Sequence, residues 1–139
     1  MLAPVAAAHA LSVLLAAQRL GLGFDGRVQV TVPPTMAPGD AGELSMTILD
    51  TPAPRMPLMV RLSSTAVGLP ETRLAMRDVV DPLAQQPRIR ARFVAPAQPG
   101  RYSVEGLVEY VTCDAERCRP RRTTVVWAVV VEQPTEVVP

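Results

Sequence analysis

The chain has 139 residues, enough for one domain with a substantial core, and its 48% hydrophobic and 19% charged residues exclude a disordered body. A formal net charge of +1 gives no electrostatic case for nucleic acid, so that class of partner is excluded. Fifteen prolines and eight glycines, beside few aromatic residues, describe short segments punctuated by turns and favour β structure.

Residues 1–25 form the first distinct segment, which is largely apolar and is predicted to be a helix. Pro4 stands near its start, and Gly21 and Gly23 supply the signals that end it. Three functional interpretations compete: a secretory signal peptide, a membrane anchor, and a helix docked on a partner. The structural alternative is a plain helix packed on its own domain. The absence of a basic residue before the apolar run counts against the signal peptide, and the interruption near Arg19 counts against a full membrane span.

The polar residues of this predicted helix are segregated. On a helical wheel His9, Ser12 and Arg19 fall on one face. The opposite face carries four leucines: Leu11, Leu14, Leu15 and Leu22. This segregation supports a docked or interfacial helix, in which residues 1–24 contact a membrane or a protein partner.

From Gly26 onwards the apolar pattern changes to a period of two, which is typical of half-buried strands. Turns rich in proline and glycine separate the segments that show it. The predicted strands are residues 27–32, 43–49, 56–63, 71–76, 88–94, 102–112 and 123–131. Seven short strands at this spacing predict an all-β fold, an immunoglobulin-like antiparallel sandwich over residues 26–133 that follows the apolar helix. Residues 134–139 are predicted to be a C-terminal tail.

Two aromatic residues are assigned structural roles in this sandwich. Tyr102 follows the turn Pro99-Gly100 and starts the long sixth strand, where a tyrosine corner is expected to bond a nearby backbone carbonyl. Trp127, in the last strand, is the largest candidate for the core between the sheets.

Both cysteines of the chain, Cys113 and Cys118, lie in a charged turn between the sixth and seventh strands. A hairpin at this position can bring two Cα atoms within the distance that a disulfide requires. By the chain-entropy relation such a short loop contributes only about 2 kcal/mol, so stability alone is a modest reason for a bridge. No metal site is indicated, because a structural zinc ion needs four nitrogen or sulfur ligands. The chain offers only the two cysteines and the distant His9. No cofactor motif is found.

Charged residues surround the cysteine pair. Disulfide exchange needs an accessible, stabilised thiolate, which nearby guanidinium groups favour and carboxylates oppose. The basic candidates for this supporting role are Arg117, Arg119, Arg121 and Arg122, and the acidic ones are Asp114 and Glu116. The alternative is that the arginines solvate the loop and keep an edge strand from aggregating, beside a structural or inert cysteine pair.

The pattern Tyr110-x-x-Cys113-Asp114-x-x-x-Cys118-x-Pro120, preceded by Pro99-Gly100-Arg101-Tyr102, resembles the N-terminal domain of the thiol:disulfide interchange protein DsbD and related single-domain proteins. The resemblance spans residues 26–133 loosely and is specific over residues 100–120. It implies an immunoglobulin-like sandwich whose loop cysteines receive electrons from a membrane partner and pass them to oxidised periplasmic proteins. The sequence departs from the family in lacking an aromatic cap loop and an early Trp-His motif.

Two functions of different classes are therefore expected. The first is a thiol-disulfide exchange module of the bacterial cell envelope that uses Cys113 and Cys118 and a redox protein partner. The second is a non-catalytic immunoglobulin-like interaction subunit of a membrane-associated complex. Cysteine usage favours the periplasm, whereas Arg19 and Arg27 after the apolar segment hint at the cytoplasm by the positive-inside rule. The resemblance favours a periplasmic or membrane-associated location.

Overall fold

A computed structural model of the protein describes residues 26–134, so the predicted helix of residues 1–25, with His9, and nearly all of the tail lie outside the described residues. The described chain forms two antiparallel sheets with a single short 3₁₀ turn, Met76–Asp78. This arrangement confirms the all-β prediction.

The first sheet has three strands in the order β1-β2-β5. Strand β1 covers Val28–Thr31, β2 covers Ala41–Ile48, and β5 covers Arg88–Val94. Alternate residues of β5 are buried and exposed along its whole length, as the sequence pattern predicted. Central strand β2 pairs with both neighbours in antiparallel register.

The second sheet has four strands in the order β4-β3-β6-β7. Strand β3 covers Met59–Ser63, β4 covers Arg73–Ala75, β6 covers Gly100–Cys113, and β7 covers Cys118–Val131. The last two strands form one long hairpin, paired from Gly100 opposite Val131 to Cys113 opposite Cys118. Thus β7 begins at Cys118, five residues before the predicted start of the last strand, and the cysteines end strands rather than lie within a loop.

The buried faces of the two sheets share one hydrophobic core. Trp127 of β7 is the largest of its buried side chains, and its indole N–H donates a hydrogen bond to the backbone carbonyl of Ser45 in β2 (3.0 Å). The bond satisfies the one polar group that Trp127 brings into the core and ties the two sheets together. Gly106 of β6 leaves room for this ring, since a Cβ atom there would lie 2.8 Å from Cζ3 of Trp127.

The other predicted structural aromatic, Tyr102, lies near the start of β6. Its hydroxyl donates a hydrogen bond to the backbone carbonyl of Gln98, four residues earlier (2.6 Å). This is the type of bond expected at a tyrosine corner, and it fixes the direction in which the chain enters the hairpin.

Candidate functional site

The β6–β7 hairpin projects beyond the rest of its sheet at the end that carries the cysteines. Strand β3 pairs with β6 only between Glu105 and Glu109. One step further, the backbone N–H of Ala53 donates to the carbonyl of Val111 (2.7 Å). Past Val111, β6 pairs within the described chain only with β7, so residues 112–119 form a tip held by its own hairpin.

Cys113 and Cys118 form a disulfide bond at this tip. The two residues lie directly opposite each other in the hairpin, with Cα atoms 4.0 Å apart, slightly closer than the usual range for disulfides. Strand pairing explains this distance. Asp114 and Arg117 share the last backbone hydrogen bond, so the cysteines occupy the next, non-hydrogen-bonded pair, in which side chains approach most closely. Both cysteines are exposed to solvent.

A tight turn closes the hairpin just beyond the disulfide. Oδ1 of Asp114 accepts hydrogen bonds from the backbone N–H groups of Glu116 (2.8 Å) and Arg117 (2.9 Å). Both bonds favour the charged carboxylate and therefore lower the pKa of Asp114. The bond from Arg117 has the larger effect and the bond from Glu116 the smaller one. Asp114 therefore shapes the turn that sets the cysteines opposite each other, and Glu116 lies exposed within it.

The four predicted arginines divide into two pairs. Nε of Arg121 donates to Oγ1 of Thr112 (2.9 Å), and Nε of Arg122 lies 3.8 Å from a carboxylate oxygen of Glu109. Arg117 and Arg119 are exposed on either side of Cys118 in the sequence, and the salt bridges of residues 26–134 include neither. Arg117 and Arg119 thus have no salt bridge within the described chain, and side-chain alternation in β7 directs Arg119 to the sheet face opposite Cys118.

A half-buried polar cluster anchors the base of the projecting tip. The Tyr110 hydroxyl (2.6 Å) and the Arg27 guanidinium (2.8 Å) both donate to Oδ2 of Asp50. Burial alone would raise the pKa of Asp50, but these two hydrogen bonds, with the charges of Arg27 and Arg121, hold it below its ordinary value. Sequence reasoning missed Asp50, because its partner Tyr110 is 60 residues away and no local motif joins them.

The structure separates the predicted structural aromatics from the cysteines. Trp127 lies nine residues along β7 from Cys118, about 30 Å at the rise of a β-strand. Tyr102 lies at the same far end of the hairpin, opposite Val129. The tip therefore gathers the cysteines and their charged neighbours alone.

Two surface grooves, of about 280 and 550 Å³, lie away from the cysteines, on the outer faces of the sheets. No cluster of histidine, cysteine or acidic side chains between residues 26 and 134 is arranged to hold a metal ion. Over the same span, no helix has the length and apolar character needed to cross a membrane.

No protein-family model matches this chain, and comparisons with curated proteins and with solved structures give no match.

Proposed function

We propose that this protein is a thiol-disulfide exchange module of the bacterial cell envelope. The observation that carries the proposal is the exposed Cys113–Cys118 disulfide at the end of a hairpin that projects past the last anchor of its sheet, at Val111. Labile and catalytic disulfides are typically exposed to solvent, whereas structural disulfides resist reduction. A projecting tip also lets a second protein approach both sulfur atoms without disturbing the core.

The exchange would proceed in two balanced steps. A thiolate of a reduced partner attacks one sulfur of the Cys113–Cys118 bond, which breaks and releases the other cysteine as a thiolate. The second thiol of the partner then resolves the mixed disulfide, so that the partner leaves oxidised and Cys113 and Cys118 are both reduced. The same two steps in reverse pass the two electrons to an oxidised protein substrate.

Arg117 and Arg119 would assist the exchange, because positive charge favours the thiolate as attacking and as leaving group. Asp114 and Glu116 oppose this effect, although two backbone hydrogen bonds already engage the carboxylate of Asp114. The side chains of Arg121 and Arg122 are directed to Thr112 and Glu109, so we assign them mainly to the base of the tip.

The fold detail also supports a kinship with the N-terminal domain of DsbD. Strands β1-β2-β5 and β3-β6-β7 correspond to the A-B-E and C-F-G strands of an immunoglobulin-like sandwich, except that β4 pairs beside the C strand and not beside the E strand. The bond from Tyr102 to Gln98 corresponds to a tyrosine corner. An oxidising compartment with a reducing membrane partner would complete the cycle, and it forms part of the proposal.

The redox potential of the Cys113–Cys118 pair tests this function. The purified full chain is equilibrated against glutathione or dithiothreitol buffers, and free thiols are trapped and counted. A potential of roughly −120 to −270 mV, the range of exchange proteins, supports the module. A potential below about −300 mV would identify a structural staple and favour the second function, a non-catalytic interaction subunit of a membrane-associated complex.

A further inference from the structure

Within residues 26–134, short or covered strands protect all but one of the sheet edges. Strands β1 and β4 are edge strands of only four and three residues. The outer side of β5 is covered at both ends, where Gly68 bridges to Val94 and Val79 bridges to Ile89. Short or covered edges are the usual protection against unwanted strand pairing. Strand β7 is different, because it is an edge strand of 14 residues.

The direction of the backbone groups along β7 follows from the hairpin register. Residues in non-hydrogen-bonded pairs direct their N–H and C=O groups away from the partner strand. Cys118 is in such a pair with Cys113, so the even-numbered residues of β7 direct their backbone groups outward. Met36 shows that this edge can be bonded: its N–H donates to the carbonyl of Val130 (3.0 Å), and its carbonyl accepts from Glu132 (2.9 Å).

Between the disulfide and Val130 this edge has no backbone partner within the described chain. Within residues 26–134, no backbone group bonds to the outward N–H and C=O groups of Arg122, Thr124, Val126 or Ala128. Pro120 has the same orientation and offers no donor, so the open run of donors ends there. The run is long enough to template an added strand.

The side chains along this edge form two zones. Towards the tip, Arg119 and Arg122 are exposed on opposite faces of β7, and the side chain of Arg122 is 72% exposed despite its weak ion pair with Glu109. Towards the other end, Val126 (44% exposed) and Ala128 are uncharged and lie at the surface. A strand that pairs here would meet positive charge at one end and small or β-branched side chains at the other.

We infer that the open edge of β7 binds an extended segment of a partner protein, which adds an antiparallel strand to the four-stranded sheet. Antiparallel pairing is slightly more stable per residue than parallel pairing. In that orientation the segment has β-branched residues opposite Thr124 to Ala128, followed by acidic residues opposite Arg122 and Arg119. Backbone bonds supply the affinity, and the complementary charges select the partner and its register.

The bound segment would run towards the cysteines, since its acidic end lies next to Cys118. Strand addition would thus place a protein partner beside the disulfide. The inference goes beyond the exchange activity and does not require it, because a purely structural partner could bind the same edge. Binding of a peptide and the redox potential are therefore separate measurements that can fail separately.

The test uses the full chain labelled with ¹⁵N and the peptide acetyl-Val-Thr-Val-Thr-Val-Thr-Glu-Thr-Thr-Glu-amide, whose two glutamates lie opposite Arg122 and Arg119 when its first valine lies opposite Ala128. Binding is followed by amide chemical shifts. We expect saturable shifts centred on the amides of Arg122, Thr124, Val126 and Ala128. The same peptide with lysine in place of each glutamate should bind at least about tenfold more weakly. Absence of saturable binding, shifts centred elsewhere, or equal binding of the lysine peptide would overturn the inference, and so would sedimentation showing a dimer of this chain that uses the edge.

A substitution at the edge provides the matched variant. Thr124→Pro removes one outward N–H and no bond to β6, and Pro120 shows that β7 accepts proline in this orientation. It should weaken peptide binding at least about tenfold, whereas Thr124→Ala, which keeps the N–H, should bind as the parent does. Unchanged binding by a folded Thr124→Pro protein would contradict strand addition.

Charge reversal tests the same site without touching the backbone. The double variant Arg119→Glu/Arg122→Glu changes exposed side chains and should reverse the preference, so that the lysine peptide binds better than the glutamate peptide. Arg73→Glu, at the opposite edge of the same sheet, is the control and should keep the original preference. If Arg73→Glu also made the lysine peptide bind better than the glutamate peptide, the net charge of the protein, and not this edge, would select the peptide.

Discussion

The backbone N–H of Ala53 donates a hydrogen bond to the carbonyl of Val111 (2.7 Å), and within residues 26–134 no backbone group from outside the hairpin bonds to β6 nearer the cysteines. The bond therefore marks the point where the hairpin leaves the body of the protein. On the body side, β6 lies between β3 and β7 and shares the core. On the other side, the tip depends on its own pairing and on the disulfide.

Replacing both cysteines, Cys113→Ser/Cys118→Ser, should therefore cost little global stability. A loop this short contributes at most about 2 kcal/mol to the free energy of unfolding, measured by urea denaturation. Amide exchange should increase at residues 112–119 and stay unchanged at Val104 and Val108 in the core. Loss of protection at Val104 and Val108 in the variant would show that the disulfide holds the whole hairpin and would contradict this account.

The sequence predicted the half-buried parts of the strands well and the projecting part poorly. Strand β5 was located with both ends correct, because Ile89, Ala91 and Phe93 alternate with exposed residues. Residues 118–122 of β7 were predicted as a charged turn, because both faces of the tip are exposed and no alternation of burial can mark them. Their strand conformation comes from pairing with β6, which no local pattern reveals.

The candidate site was predicted to a similar extent. The position of the two cysteines in a turn between two strands made a disulfide sterically plausible, and the structure has that disulfide. The anchor formed by Asp50, Tyr110 and Arg27 could not be predicted, because it joins three distant parts of the chain. Nor could the open edge of β7, since the order of strands within a sheet is a property of the topology.

Gly106→Ala should destabilise the protein by about 1–3 kcal/mol, the usual cost of overpacking a core. A Cβ atom at Gly106 would lie 2.8 Å from Cζ3 and 3.2 Å from Cη2 of Trp127. The ring cannot move away easily, because its N–H is bonded to the carbonyl of Ser45. Thermal and urea unfolding measure the change, and Ser103→Ala, an exposed position of the same strand, is the control with an expected effect within about 0.5 kcal/mol. Equal stability of Gly106→Ala and the parent would disprove the tight contact.

Asp50→Asn should lower stability near neutral pH by about 1–2 kcal/mol, since the carboxylate accepts hydrogen bonds from Tyr110 and Arg27. The pKa of Asp50 is lower in the folded chain than its ordinary value of 3.8. Its contribution is therefore complete above that value and is lost as the pH falls through the lower folded-state pKa. The stability difference between parent and Asp50→Asn should accordingly shrink in acid.

Urea denaturation at a series of pH values measures this convergence. Asp81 and Asp114 also have lowered pKa values, from backbone hydrogen bonds, so both proteins lose stability in acid, and only the difference between them reports on Asp50. Glu71→Gln, which removes an exposed charge, should stay within about 0.5 kcal/mol of the parent at every pH. A constant gap between Asp50→Asn and the parent down to strongly acid pH would exclude the charge as its cause.

The arginines beside the disulfide are expected to favour the thiolate form of the reduced cysteines. Arg117→Gln/Arg119→Gln should raise the pKa of the attacking thiol in the reduced protein, because neutral glutamines no longer stabilise the thiolate. The rate of alkylation by iodoacetamide as a function of pH measures that pKa, and exchange with oxidised glutathione at neutral pH should slow in parallel.

The control is Arg73→Gln, on a distant strand, which removes an exposed charge and should change neither the alkylation profile nor the exchange rate. If Arg73→Gln shifted the alkylation profile as far as the double variant does, overall charge would explain the shift. If neither variant shifted it, the tip arginines would have no part in activating the cysteines, and Cys113 and Cys118 would exchange, if at all, by exposure alone.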